Sequence, residues 1–168
     1  MNKLVRTALG IGLLWQMGTP SAAADLGTWR ELTADEEAVR IAGIPPASID
    51  PSVIEGDFNG DGILDRAMIA IRTTDQVRGL IAVIDSHIHV IAGDPGAVGD
   101  RDGLGIAPPG RWDPVCGNAL REFHECDGRQ PTTIDLTTSG ILLIGEGETV
   151  LYFWDKKIPG FRNAVMID

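Results

Sequence analysis

The chain is poor in cysteine, with two, and poor in aromatics, with four Trp, four Phe and one Tyr among 168 residues. So few cysteines exclude a disulfide-framework miniprotein and a Cys-rich zinc module. Positive charge is scarce as well: 14 Lys and Arg stand against 24 Asp and Glu, for a formal charge of -10. That balance repels phosphate, and no basic stripe interrupts it, so no nucleic-acid partner is expected. The apolar runs fall short of the roughly 20 residues that cross a bilayer as a helix. The hydrophobic content, 43%, is that of a globular chain and excludes wholesale disorder. One domain is expected.

The first 24 residues read as a leader outside the fold. Lys3 and Arg6 precede an apolar stretch from Ala8 to Trp15, and Ser21-Ala22-Ala23-Ala24 supplies the small residues of a cleavage site. The expected organisation is a signal peptide over 1–24 and a single β domain over 25–168. No cysteine follows the apolar stretch to accept a lipid, and no membrane span is expected after cleavage. A periplasmic or secreted location follows.

Export changes the reading of the cysteines. Cys116 and Cys126 lie ten positions apart in a compartment that permits disulfides, so a local bridge is favoured over a metal pair. A redox pair is the alternative, against which the spacing is not C-x-x-C.

Residues 32–43 form one short helix in this reading, with Thr33 as cap, Glu36 as its capping-box partner, and Gly43 before Pro45-Pro46 as the stop. Thereafter the signals are those of short Ile- and Val-rich strands, at 52–55, 66–72, 80–84, 87–91, 111–115, 132–136, 141–144, 149–154 and 161–167. Asp85-Ser86 and 157–160 are tight turns, which join antiparallel neighbours. Residues 93–110, rich in Gly, Pro and Asp, are expected to be a flexible surface loop. The fold class is therefore mainly β: an antiparallel sheet, sandwich or partial barrel with one N-terminal helix.

One segment carries distinctive chemistry. From Asp57 to Asp65, oxygen side chains fall at loop positions one, three, five and nine as Asp57, Asn59, Asp61 and Asp65. Gly62 stands at position six, where a sharp turn needs a residue without a side chain. The main-chain carbonyl of Ile63 adds a fifth donor, and this hard-oxygen spacing suits Ca2+. Position twelve is Met68, where an EF-hand has a bidentate glutamate, and strands flank the loop instead of helices. The bland alternative is an Asp/Asn/Gly-rich turn that binds nothing.

Residues 55–67, EGDFNGDGILDRA, resemble the calcium loop and following strand of FG-GAP/VCBS-type repeats, found in integrin-like propeller blades and many secreted bacterial proteins. The resemblance implies Ca2+ held by Asp57, Asn59, Asp61, the Ile63 carbonyl and Asp65. A propeller needs several four-stranded blades, whereas this chain has one such loop. A second resemblance covers most of residues 25–168. The loop, then Arg78-Gly79-Leu80, Pro109-Gly110, Cys116-Gly117, Cys126 and Tyr152-Phe153-Trp154-Asp155 follow in an order similar to small periplasmic immunity or lysozyme-inhibitor proteins. It implies a protein partner of the cell-wall hydrolase type, met by a polar loop. The 145–149 turn, with Glu146, Glu148 and Thr149, is the candidate partner-binding segment, and acidity suits a basic enzyme.

Other constellations are weaker. His87 and His89 share a strand face without a third ligand, and Asp100 and Asp102 read as turn charges. Asp85, Ser86 and His87 are consecutive and cannot converge as a relay. Glu146 and Glu148 as a glycosidase pair would need a geometry that sequence separation does not reveal. The expectation is thus a non-enzymatic, exported calcium-binding module, an inhibitor or immunity partner of a peptidoglycan hydrolase. A structural or adhesion-like module binding glycan or envelope protein is the alternative, with a small hydrolase behind it.

Overall fold

The computed structural model describes residues 25–117, 126 and 130–166; the expected signal peptide lies outside them. Strand β1 (Trp29–Glu31) precedes helix α1 (Ala34–Arg40), followed by β2 (Val53–Gly56), β3 (Asp65–Arg72), β4 (Arg78–Ile84) and β5 (His87–Ala92). Then come β6 (Gly103–Ala107), β7 (Gly110–Trp112), β8 (Ile134–Leu136), β9 (Gly140–Ile144), β10 (Thr149–Asp155) and β11 (Gly160–Met166). All described strand pairs are antiparallel, as the tight turns require.

The first sheet has the order β1-β3-β4-β5. β2 pairs with residues 65–68 of β3 and β1 with 70–72, so the two lie in tandem along one edge. The second sheet has the order β11-β10-β9-β6, and β7 and β8 form a separate two-stranded ribbon. Alternation along the strands explains the layers. Ile54, Ala67, Ile69, Leu80, Ala82 and Ile84 of the first sheet share a core with Leu104, Ile141, Leu143 and Tyr152 of the second. Phe153, one position from Tyr152, turns outward to Leu151, Ala164 and the ribbon residues Ile134 and Leu136. The sheets therefore form an open sandwich with the ribbon against its outer face, not a closed barrel.

The region 93–110 differs from its expectation as a flexible loop. It contains β6, whose register against β9 runs from Gly103↔Ile144 to Ala107↔Gly140. Glycines at 103 and 105 weaken the strand signal. They are tolerated because Leu104 is fully buried, and because a Cβ at Gly103 would come within 2.4 Å of the Asp50 side chain. β7 also stops at Trp112, short of its expected end, since Asp113-Pro114 leads into a 3-10 turn at Val115–Gly117. Cys116 and Cys126 are joined in a disulfide, as the spacing suggested.

Helix α1 begins in the expected capping box: Thr33 Oγ1 accepts from the Glu36 N–H, and the Glu36 carboxylate accepts from the Thr33 N–H. Arg40 fastens its other end. The guanidinium is buried, donates to the Glu37 carboxylate at 2.6 and 2.9 Å, and donates to the main-chain oxygens of Asp50 and Asp102 at 2.8 and 3.0 Å. One side chain thus ties the helix to the approach of β2 and to the start of β6.

The acidic partners of these arginines titrate below their ordinary range. Glu36 is lowered to about 2, chiefly by its bond to Arg30 and then by the Thr33 N–H. Arg40 lowers Glu37, Arg66 lowers Glu31 and Arg72 lowers Asp75. A carboxylate depressed in the fold contributes stability above its unfolded pKa, and that contribution is lost as pH falls through the folded value. Melting temperature should therefore fall between pH 4.5 and about 2. Glu36→Gln, which keeps an acceptor for Thr33, should melt lower at pH 7 and show a shallower acid limb. Thermal melts across pH 2–7 check this, and parallel curves for the two proteins would contradict it.

Candidate functional site

The 57–65 loop joins β2 to β3 and is anchored from beneath. Phe58, at its second position, is fully buried among the core side chains between the sheets. Its N–H donates to Asp65 Oδ2 at 2.9 Å, and Asp65 itself is only 4% exposed. Across the sandwich, Thr138 Oγ1 donates to the Phe58 carbonyl at 3.1 Å and the Ser139 N–H donates to the Asp57 carbonyl at 3.2 Å. Both sheets therefore hold the base of the loop.

Above that base the side-chain oxygens organise the loop's own backbone. Asp57 accepts from the N–H groups of Gly60 and Gly62 at 2.6 and 3.0 Å. Asn59 Oδ1 accepts from the Asp61 N–H at 2.9 Å, and Asp61 Oδ1 accepts from the Ile63 N–H at 2.7 Å. Each is a side chain bonding to backbone a few residues ahead, the ordinary chemistry of Asx turns. Gly60 and Gly62 both adopt positive φ, +82° and +85°.

A residue distant in sequence joins them. Asp85, in the β4–β5 turn, accepts from Asn59 Nδ2 at 3.5 Å, and the same amide donates to Asp61 Oδ2 at 2.9 Å. The pairing Arg66↔Val83 places that turn beside the loop. The electrostatics register the crowding. Burial pushes the Asp65 carboxyl above its usual range, against two backbone N–H groups, and the charges of Asp61 and Asp57 push it the same way. Asp61 is lowered, first by Asn59 and then by the Ile63 N–H.

The donor set is four loop side chains, the Ile63 carbonyl and Asp85, all hard oxygen, which is the chemistry of Ca2+ coordination. Among the described residues, however, no three His, Cys, Asp or Glu side chains are gathered tightly enough to form a metal cluster. The carboxylates face backbone N–H groups instead of one another. Asp57, Asp61 and Asp65 each accept from backbone N–H groups, and the Asn59 amide links Asp61 to Asp85. Met68 is fully buried with Trp29, Ala70 and Ile81 in a cluster separate from the main core, so position twelve supplies no ligand.

The opposite end of the sandwich carries the second group of expected residues. Glu146 and Glu148 line a cavity of about 530 Å3 together with Asp100, Asp102 and one cation, Arg101. Asp102 Oδ2 accepts from the Gly99 N–H at 2.7 Å, which fixes the rim. The charges of Glu148 and Asp102, after burial, raise the Tyr152 phenol. Thr149 is buried, so a partner in this groove would meet the two glutamates and not it. Asp100 and Asp102, read from sequence as turn charges, thus join the glutamates in one acidic groove.

The histidines stay apart. His87 Nδ1 lies 2.8 Å from the Asp85 main-chain oxygen, so its ring meets backbone and not the Asp85 carboxylate. His89 packs edge-on to Trp154 and Phe161 at 5.2 and 6.4 Å. Asp85 escaped the sequence reading because its contact spans 26 positions; only the strand register could have revealed it.

Two neighbouring glycines separate backbone conformation from packing. A Cβ on Gly60 would stand 2.6 Å from Thr138 Cγ2, whereas one on Gly62 would meet open space. Gly62→Ala should cost about 1 kcal/mol from its positive φ alone, and Gly60→Ala about 3 kcal/mol with the added clash. Urea unfolding measures both, and equal costs would show that the loop does not press on Thr138. Compared with known protein families, curated proteins and solved structures, the chain matches none.

Proposed function

We propose that the chain is an exported calcium-binding β module, of the FG-GAP/VCBS-like kind, that acts by binding a partner and not by turnover. Asp57, Asn59, Asp61, Asp65 and the Ile63 carbonyl would hold the ion, with Asp85 in place of the carboxylate that position twelve lacks. The observation that carries this reading is the approach of Asp85 to a loop already lined with oxygen donors and pinned by buried Phe58. Bound there, a hard cation supplies the positive charge that these carboxylates otherwise lack, and its binding free energy adds to the stability of the fold.

The acidic groove at the far end supports a cationic protein as partner. Glu146, Glu148, Asp100 and Asp102 outnumber Arg101 around one depression, and that net negative charge raises encounter rates with a basic surface. A cell-wall hydrolase of the basic lysozyme type matches that chemistry, and inhibition or immunity is the corresponding role. Micromolar chain should slow such an enzyme, and Glu146→Gln with Glu148→Gln should relieve the effect. Retention on peptidoglycan without any inhibition would favour the adhesion-like reading instead.

Calcium has its own test. At a concentration near 100 times the dissociation constant, a ligand of the folded state adds roughly 2.7 kcal/mol. For a domain of this size that is a rise in melting temperature of about 5–10 °C. EDTA should reverse the rise, and Asp61→Ala should abolish it. Superimposable melts with calcium and with EDTA would contradict the site.

A further inference from the structure

Six large apolar side chains are exposed among the described residues: Val39, Val90 and Ile106 stand singly on α1, β5 and β6, and the other three stand on two turns. Ile63 and Leu64, side by side on the cation loop, are 64% and 71% exposed, and Ile158 on the β10–β11 turn is 60% exposed. The two turns lie at the same end of the sandwich, since a Cβ on Gly60 would stand 3.0 Å from Lys156 Nζ. Neither turn is loosely built. The Ile63 N–H is bonded to Asp61, the Ile158 N–H donates to the Asp155 carbonyl at 3.2 Å, and the Lys157 N–H donates to Asp155 Oδ1 at 2.9 Å. Trp154 and Phe161, edge to face at 5.3 Å, brace the second turn from within. The fold therefore holds three apolar side chains largely in solvent on ordered turns, where they gain little of the free energy that burial supplies.

Charge beside these tips points to the occupant. Lys156 and Lys157 are exposed and immediately precede Ile158, and among the described residues neither is held in an ion pair; the neighbouring Arg162 is the residue that meets Asp155. Apolar points on separate convex turns, with lysines at their base, suit insertion into a plane lined with phosphates. Opposing this are Asp57, Asp61, Asp65 and Asp85 at the same end and the net charge of -10. A divalent ion in the loop would cancel two of those four aspartate charges, and Lys156 and Lys157 would balance the other two, which removes the repulsion at this end.

We propose that this end of the molecule docks on an anionic phospholipid surface, with Ile63, Leu64 and Ile158 entering the headgroup layer and Lys156 and Lys157 meeting phosphates. The cation of the 57–65 loop switches the contact on, and this part rests on the calcium reading above. The test is co-sedimentation of the full chain with phosphatidylglycerol/phosphatidylethanolamine vesicles, in millimolar calcium and in EDTA, read as the calcium-dependent increment. The apolar leader is common to all arms and does not enter that increment. Calcium binding is followed separately by equilibrium dialysis, and folding of each variant by its melting curve.

The expected result is at least tenfold more bound protein with calcium. Ile63→Ser with Leu64→Ser should remove that gain while dialysis still shows bound calcium, and Lys156→Gln with Lys157→Gln should weaken it severalfold. Bound calcium without any vesicle increment would overturn the docking proposal and leave the cation site standing. No bound calcium would remove the switch at its source. An increment unchanged in the serine variant, or equal on phosphatidylcholine, would also overturn the proposal.

Discussion

The bond from the Phe58 N–H to the Asp65 carboxylate is the constraint on which the loop depends. Phe58 lies at zero exposure between the sheets, and Asp65 is buried at the first position of β3. The aromatic ring fixes one end of the loop by packing and the carboxylate fixes the other by a charge-assisted bond. Everything between them is then short enough to be organised by its own Asp and Asn side chains. Were the base not held, three carboxylates in nine residues would relax outward into water, since mutual repulsion and solvation act in the same direction.

The antiparallel topology distributes chemistry to the two ends of the sandwich. The cation loop, the β4–β5 turn and the β10–β11 turn meet at one end, and the acidic groove between the β5–β6 connection and the β9–β10 turn occupies the other. Arg40 connects the second end to helix α1 through the Asp102 carbonyl. The two ends therefore differ in what they offer: hard-oxygen donors beside exposed apolar tips and lysines at one, and a depression where four carboxylates stand with Arg101 at the other.

How much of this was legible in the sequence depends on how local the signal is. The capping box at Thr33 and Glu36 and the Asp85-Ser86 turn are contained within a few residues, and they read correctly. β6 did not, because Gly103 satisfies a close approach to Asp50, and Gly105 one to Ile144, that only the folded chain creates. β1, three residues long, has too little pattern to stand out. The loop donors were visible as a spacing, but the arrival of Asp85 and the closeness of Lys156 are consequences of strand register and sheet packing. The groove likewise joins residues 100–102 to 146–148 across a strand pair, which no local motif announces.

The central claim is that the 57–65 loop, with Asp85 beside it, captures a divalent ion. Isothermal titration of calcium into the metal-stripped chain at pH 7 tests this most directly. The account predicts one saturable site per chain, with a dissociation constant of about 10⁻⁵ to 10⁻³ M, weakened at least tenfold in Asp85→Asn. A flat titration at millimolar calcium would contradict it.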